Sequence, residues 1–355
     1  MKLFLHLGPE KTGSSFLQYL CYQRRYLLQE RGIWFPKGTD FDELCMKEAK
    51  VSGGNALALS ELLTSGEWAA SRQWLYDAIS QSRRNGCGAT LISSELLLAP
   101  LANEDRFGCL LQGLKAAEVS KISMLLTLRE PVEQLLSLYK HRAKGGTTGR
   151  IHDWVEDGYQ LPQHMKSLRK QVKESDIELC VRGYTRRPGG LENMFFHDWL
   201  GLDPFPEAED AEVNPSLTLS ELELIRRMND RRSDLVHFLR DHLATVPRKT
   251  KIQGNALVTH ARAVAANSVW QHREEWARWN EILPEDERLT IPESGTEIPE
   301  WPDELEFSQN QVDALAEFMA ESTRLRFLVR VFWRGKVRPL LGRVRRRLMG
   351  ERVNG

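Results

Sequence analysis

A chain of 355 residues, 41% of them apolar, is long enough for one large α/β domain or two smaller ones, and its composition is ordinary for a soluble protein. Its 49 lysine and arginine residues equal its 49 aspartate and glutamate residues, so the overall charge does not favour nucleic acid as a partner. No segment approaches the ~20 apolar residues of a transmembrane helix, and the N-terminus lacks a signal-peptide pattern, so we expect a cytoplasmic protein.

The first predicted strand covers residues 4–7 and leads into a loop bounded by Gly8 and Gly13. An amphipathic run follows, which predicts a strand, a loop and a helix in succession. Such a loop points successive backbone N–H groups and the positive end of a helix dipole at one place, and Ser14 and Ser15 add hydroxyls at the first turn. The pattern predicts a binding site for phosphate or sulfate.

The glycine spacing in this loop matches the nucleotide-binding pattern G-x-x-x-x-G-K-S/T, but Ser14 stands where that pattern has lysine. Lys11 lies inside the loop instead. A nucleotide kinase or other NTPase on the same fold needs the missing lysine and an acidic Mg²⁺ partner. The kinase stays open as an alternative function.

Two later segments, at 89–95 and 121–129, are also apolar runs that become polar at their carboxyl ends, and residues 178–184 are a fourth predicted strand. Residues 39–88 are predicted to be a mostly helical insertion between the first two strands. Its tryptophans, Trp68 and Trp74, are predicted to be core residues. Apolar strands separated by helices indicate a parallel sheet covered on both faces. The predicted fold is therefore a P-loop-like three-layer α/β/α fold with additional C-terminal helices.

Ligands of such sheets bind beyond the carboxyl ends of the strands. The loop from Gly8 to Ser15, the segment 93–95 and Arg129 should therefore lie at one edge of the sheet. His6 lies within the first strand and is predicted to be a satisfied core histidine. His141 lies on the helix after Arg129, too far along it to act at the edge.

The rest of the chain is predicted to be helical, with proline-rich acidic loops at 203–214 and 284–306. Ser220 is the predicted N-cap of a helix that begins near residue 218, and residues 255–283 form a further helical stretch. We therefore predict one α/β domain over residues 1–323. It includes the helical insertion at about 39–88 and a helical part at about 218–323, and a basic tail over residues 324–355 follows it.

This tail has eleven lysine and arginine residues against one acid, Glu351, which leaves residues 1–323 with 38 bases and 48 acids. Aromatic residues alternate with arginines at its start. Such a segment suits peripheral contact with an anionic membrane surface, at the inner face of the membrane. The other interpretation is a C-terminal helix docked on the acidic remainder of the chain.

The five cysteines are scattered without Cys-x-x-Cys spacing, which favours reduced core thiols over a disulfide framework or a metal site. We predict no structural metal.

Arg129 is followed by Pro131, which suits the first turn of a helix, and Ser137 lies about two turns further on. A guanidinium can bind a phosphate through two parallel hydrogen bonds. The other interpretations are an arginine paired with a surface acid and a serine on a helix surface.

Residues 11–15, Lys-Thr-Gly-Ser-Ser after a first strand, resemble the 5′-phosphosulfate loop of sulfotransferases that use 3′-phosphoadenosine 5′-phosphosulfate (PAPS). The strand, arginine, proline-started helix and serine at 121–137 resemble their 3′-phosphate-binding element. Segments 94–95, 181–184, 196–202 and 214–217 are similar to bacterial members, so the resemblance covers about the first 230 residues. Two features depart from the family. Glu10 places an acid beside the anion-binding loop, and we locate no basic loop late in the chain like the one that many members place over the 3′-phosphate.

The resemblance implies transfer of a sulfuryl group from PAPS, without a metal, to an acceptor hydroxyl or amine such as that of a carbohydrate. It assigns donor binding to Lys11, Thr12, Gly13, Ser14, Ser15, Arg129 and Ser137. Lys11 is also the predicted catalytic residue that neutralises the leaving phosphate. Glu95, at the same edge, is the candidate general base, although it could instead be a helix N-terminal acid or the ion-pair partner of Arg129. A catalytically inactive binding protein on this fold is a further alternative.

Overall fold

The computed structural model describes residues 1–48, 50–185, 187–202, 217–252 and 254–322. The predicted acidic loop at 203–214 and the predicted basic tail at 324–355 lie outside these ranges. The chain divides into two compact units. The first comprises Met1–Leu138, Gly158–Asn214 and Ala265–Thr296, and the second comprises Tyr139–Asp157, Pro215–Val264 and Glu297–Gly355.

The first unit contains a five-stranded parallel sheet with the strand order β2-β3-β1-β4-β5. Its strands are β1 Lys2–Leu7, β2 Ile33–Trp34, β3 Ala89–Ser93, β4 Lys121–Leu128 and β5 Ile177–Gly183. All five residues of β3 are buried, as are five of the six in β1, because helices cover both faces of a parallel sheet. The mixed α/β class with a parallel sheet is confirmed, and the arrangement is compatible with three layers.

Sixteen α-helices lie within the described ranges: α1 Ser14–Gln23, α2 Arg25–Glu30, α3 Asp40–Lys47, α4 Leu57–Ser65, α5 Trp68–Arg84, α6 Leu98–Leu101, α7 Glu104–Ala116, α8 Pro131–Ala143, α9 Ile151–Gly158, α10 Leu161–Lys173, α11 Gly190–Glu192, α12 Leu219–Arg232, α13 Val236–Thr245, α14 Ala256–Gln271, α15 Arg273–Asn280 and α16 Gln309–Ser322. A π-helix, Asn193–Trp199, continues from α11. None of the helices in the described ranges is both long and apolar enough to span a membrane.

Helix α1 packs its apolar face on the sheet. Leu17, Leu20 and Cys21 are buried in one core cluster with Phe4 of β1 and Leu91 of β3. This packing fixes the start of α1 directly after the carboxyl end of β1, which is where the predicted anion-binding loop lies.

Residues 39–88 contain helices α3, α4 and α5, but the prediction that their tryptophans are core residues is wrong. Trp68 is 37% exposed and Trp74 is half-buried. The buried stripe of α5 contains Leu75 and Ile79. Trp74 lies beside this stripe, and Trp68 is the first residue of the helix. Four of the five thiols are buried, Cys180 is half-buried, and all five are free.

In the second unit, the N-cap of α12 is Thr218 rather than the predicted Ser220. The Thr218 hydroxyl accepts a hydrogen bond from the Glu221 N–H at 3.2 Å, and the Thr218 N–H donates to the Glu221 carboxylate at 2.7 Å. This capping box satisfies two N–H groups at once, so it is favoured over a cap at Ser220, which lies inside the helix. The fully buried ammonium of Lys251 also contacts Glu221, at 3.0 Å.

Candidate functional site

Three adjacent parallel strands deliver the predicted site residues to one edge of the sheet. β1 lies between β3 and β4, with His6 opposite Ser93 on one side and Leu125 on the other. After β1 the chain forms β2 and β3 on one side of it and then crosses to β4 on the other side, so the carboxyl end of β1 is a topological switch point. Open parallel sheets bind ligands at such points.

The loop over residues 8–15, here called the anion loop, is tightly closed. The buried Thr12 hydroxyl donates to the Pro9 carbonyl at 2.8 Å, so this side chain braces the loop from within. Lys11 has φ 72° and Gly13 has φ 88°, both in the left-handed region. A Cβ added at Gly13 would lie 2.5 Å from Leu191 Cδ2, so glycine is needed there for space as well as for conformation.

Gly13 is the N-cap of α1 and makes no side-chain capping bond, and the first turn of this helix carries no acidic residue. The positive end of the α1 dipole therefore carries no carboxylate from its own first turn. Ser14 is buried at this turn and Ser15 is half-buried beside it. The start of α1 has the features on which the predicted anion site depends, and binding of an anion there stays a prediction.

Arg129 reaches the anion loop from the end of β4. Its Nη1 donates to the Lys11 carbonyl at 3.2 Å, across 118 positions of the chain. The guanidinium also lies 5.5 Å from the centre of the Tyr184 ring and 4.0 Å from the Glu133 carboxylate, and the side chain is 12% exposed. The structure thus brings Arg129 and Lys11 together.

Helix α8 begins at Pro131, as predicted, and contributes a residue that the sequence analysis missed. Gln134 is buried and donates from Nε2 to the Glu10 carbonyl in the anion loop at 3.1 Å. Ser137 is half-buried three residues later, on the same helical face as Gln134. The face of α8 that carries Ser137 is therefore the one that contacts the anion loop.

Glu95 follows β3 and opens a short 3₁₀ turn, Glu95–Leu97. Its Oε2 accepts a hydrogen bond from Gln18 Nε2 at 2.8 Å, so this bond goes to α1 rather than to Arg129. Burial raises the pKa of the Glu95 carboxyl and the nearby Glu10 charge raises it further, whereas the Gln18 hydrogen bond and the Lys11 charge lower it. Glu95 and Lys11 are therefore close enough to influence each other electrostatically.

Hydrogen bonds of three buried polar residues also lie near this edge, those of His6, Ser93 and Ser94. His6 Nδ1 and Ser93 Oγ are 2.8 Å apart, and burial lowers the pKa of His6 to about 3. The prediction of a core histidine is confirmed, but the prediction that its hydrogen bonds are satisfied is wrong for Nε2, which is buried without a partner. Ser94 Oγ donates to the Gly53 carbonyl at 2.6 Å, so this hydroxyl holds a loop of the helical insertion.

Compared with protein-family models, curated proteins and solved structures, the chain matches none. Among the described residues, no three His, Cys, Asp or Glu side chains are grouped so that they could hold a metal ion. The assignment of a class therefore depends on the residues at this edge of the sheet.

Proposed function

We propose that the chain is a sulfotransferase that moves a sulfuryl group from PAPS to an acceptor hydroxyl or amine, and that its sheet belongs to the P-loop type. The observation that carries this proposal is the 3.2 Å hydrogen bond from Arg129 to the Lys11 carbonyl. It joins the two segments that resemble the 5′- and 3′-binding elements of the family. A carbohydrate hydroxyl is the acceptor that the resemblance favours.

The residues present fit the two anionic ends of such a donor. The uncapped start of α1, with Lys11 and the Ser14 and Ser15 hydroxyls, suits the 5′-phosphosulfate. Arg129 and Ser137 suit the 3′-phosphate, because a guanidinium and a hydroxyl donate hydrogen bonds to phosphate oxygens. Thr12 and Gly13 shape the loop between them.

PAPS supplies a sulfuryl group on a phosphate leaving group. When the bond from sulfur to the acceptor oxygen forms and the bond from sulfur to the phosphate oxygen breaks, negative charge grows on the phosphate. The Lys11 ammonium neutralises this charge. Glu95 takes the proton from the acceptor hydroxyl, and its raised pKa brings it nearer to the pKa of an effective general base at neutral pH.

Nucleotide preference tests this assignment. Without magnesium, adenosine 3′,5′-bisphosphate should bind well and ATP poorly in calorimetry, since only the former offers a 3′-phosphate to Arg129 and Ser137. Arg129→Ala should erase most of that preference, at roughly 1.5–3 kcal/mol for a lost charged hydrogen bond.

Arg83→Ala is the matched control, because Arg83 also donates to a backbone carbonyl, that of Ala117 at 2.8 Å, but lies at the end of α5. It should leave the preference unchanged. Equal binding of both nucleotides, or binding of ATP alone and only with Mg²⁺, would contradict the proposal and favour the kinase. Donor binding without turnover on any acceptor would indicate the inactive binding protein.

A further inference from the structure

Gln18 is a polar residue of α1 with no exposed surface, and both ends of its amide are used. Nε2 donates to Glu95 Oε2 at 2.8 Å, and Oε1 accepts from Ser52 Oγ at 2.9 Å. An ionised carboxylate can only accept, so the amide nitrogen must face Glu95. With the amide in this orientation, the Ser52 hydroxyl donates to its oxygen and so holds the other end of the amide.

The backbone of the residue after Ser52 is fixed by two hydrogen bonds. The Gly53 N–H donates to the buried Asp42 carboxylate at 2.8 Å, and the Gly53 carbonyl accepts from Ser94 at 2.6 Å. A Cβ added at the next residue, Gly54, would lie 2.7 Å from Gln18 Nε2. Residues 52–54 of the helical insertion therefore lie directly against the Gln18 amide, and a side chain at Gly54 would collide with it.

We propose that Gln18, fixed by Ser52, is a positioning residue that holds the Glu95 carboxylate in the orientation and ionised state needed to take a proton from the acceptor. This inference rests on the proposed function, since it assigns Glu95 the role of general base. A buried hydrogen bond to a carboxylate stabilises its charged form. Gln18 therefore opposes the effect of burial on Glu95.

The charged and titratable groups around Glu95 are few within the described residues. The anion loop contributes Glu10, which raises the pKa of Glu95, and Lys11, which lowers it. Of the elements packed against the 95–97 turn, β1 contributes the buried His6 and α4 the exposed Glu61, and α6 has no titratable residue. Removal of the Gln18 donor should therefore raise the pKa of Glu95.

A direct titration tests this inference without any turnover. Glu95 can be followed by NMR of ¹³Cδ-labelled glutamate, with its signal assigned by Glu95→Gln. Gln18→Met keeps the volume and removes the donor, so the Glu95 pKa should rise by about 0.5–1 pH unit. Ser52→Ala should give a smaller rise. The control Gln171→Met should give none, because Gln171 is a buried glutamine that donates to Ala102 in another part of the unit.

Turnover provides the second measurement. Glu95→Gln should reduce kcat by roughly 10²-fold or more, and Gln18→Met should reduce it by about 10-fold with unchanged donor affinity. In the pH–rate profile of Gln18→Met, the acid limb should move to higher pH, because the pKa of Glu95 is raised. The double variant should be no slower than Glu95→Gln, since Gln18 acts through Glu95.

The two ways of failing are distinct. A Glu95 pKa that is the same in Gln18→Met and in the unaltered chain, or kcat losses that multiply in the double variant, would overturn the positioning role. Failure to bind adenosine 3′,5′-bisphosphate would overturn the proposed function, while the titration would still report whether Gln18 controls the Glu95 carboxyl.

Discussion

Lys11 combines the charge that we propose for catalysis with an unfavourable backbone conformation. Its φ is 72°, and only Glu118, at 56°, shares this feature among the non-glycine residues that the structure describes. The left-handed region costs an L-residue with a side chain roughly 1–2 kcal/mol. Such strain is typical of sites where the surrounding structure fixes the backbone, and here the Lys11 carbonyl is held by Arg129.

Two substitutions at Lys11 separate its charge from its strain. Lys11→Ala removes the ammonium and keeps the strain, whereas Lys11→Gly removes both. The glycine variant should be more stable than the alanine variant by about 1 kcal/mol in denaturant unfolding, and both should lose turnover to the same extent.

Glu118 offers the matched pair, because Glu118→Gly and Glu118→Ala should differ in stability by a similar amount without any effect on turnover. Equal stability of the two Lys11 variants would mean that the left-handed backbone costs nothing there. Normal turnover in either Lys11 variant would remove Lys11 from the catalytic role.

At the scale of elements, the strands could be predicted because each is an apolar run bounded by glycine or by polar residues. The parallel direction followed from the helices between the strands, and the shared edge followed from that direction. The extra contacts at the edge could not be predicted in the same way. Gln18 and Gln134 look like ordinary polar residues of amphipathic helices, and only the packing of α1 and α8 on the sheet makes them buried donors.

The cap of α12 shows the opposite case, where the sequence carried a signal that was not used. Thr218 and Ser220 are both plausible caps by residue type. Glu221 stands three residues after Thr218, which is the spacing of a capping box, and this second hydrogen bond decides between them.

The junction between β1 and α1 depends on Gly13, and a substitution there can be compared with one elsewhere. Gly86 has φ 70° and no atom within 4 Å of an added Cβ, so Gly86→Ala should cost only the conformational penalty of about 1 kcal/mol. Gly13→Ala adds a contact with Leu191 and Tyr184, at 2.5 and 3.2 Å. Its loss of stability should be at least twice as large.

Gly13→Ala should also weaken binding of adenosine 3′,5′-bisphosphate in calorimetry, because relief of the contact must move the anion loop or the 184–191 segment. Gly86→Ala should bind the nucleotide normally. Equal unfolding free energies for the two variants would show that Leu191 yields without cost, and the loop would then be less closely packed than its geometry indicates.

At the scale of the whole molecule, the buried histidine of the central strand contributes to the way stability depends on pH. His6 is fully enclosed, 5.1 Å from the Phe195 ring, and its Nε2 has no hydrogen-bond partner. Burial lowers its pKa to about 3 in the folded chain, whereas an unfolded histidine titrates near 6.5. Between these values the unfolded chain binds a proton that the folded chain does not.

The contribution of His6 to the free energy of unfolding is therefore fully present above pH 6.5 and is lost as the pH falls toward 3. The limiting slope is about 1.4 kcal/mol per pH unit, so the total is on the order of 5 kcal/mol. His6→Asn keeps a polar group beside Ser93 but cannot take up this proton. Between pH 7 and pH 5, the unfolding free energy of the unaltered chain should fall by about 2 kcal/mol more than that of His6→Asn.

Urea unfolding at the two pH values measures this difference directly. Glu95 and Glu130, whose pKa values are raised by burial, act in the opposite direction, because folded carboxyls that bind protons more readily add stability as the pH falls. They are present in both proteins, so their effect cancels in the comparison. If the two proteins lose the same stability between pH 7 and pH 5, then His6 accepts its proton in the folded state, and the centre of the sheet must admit water or a counter-charge.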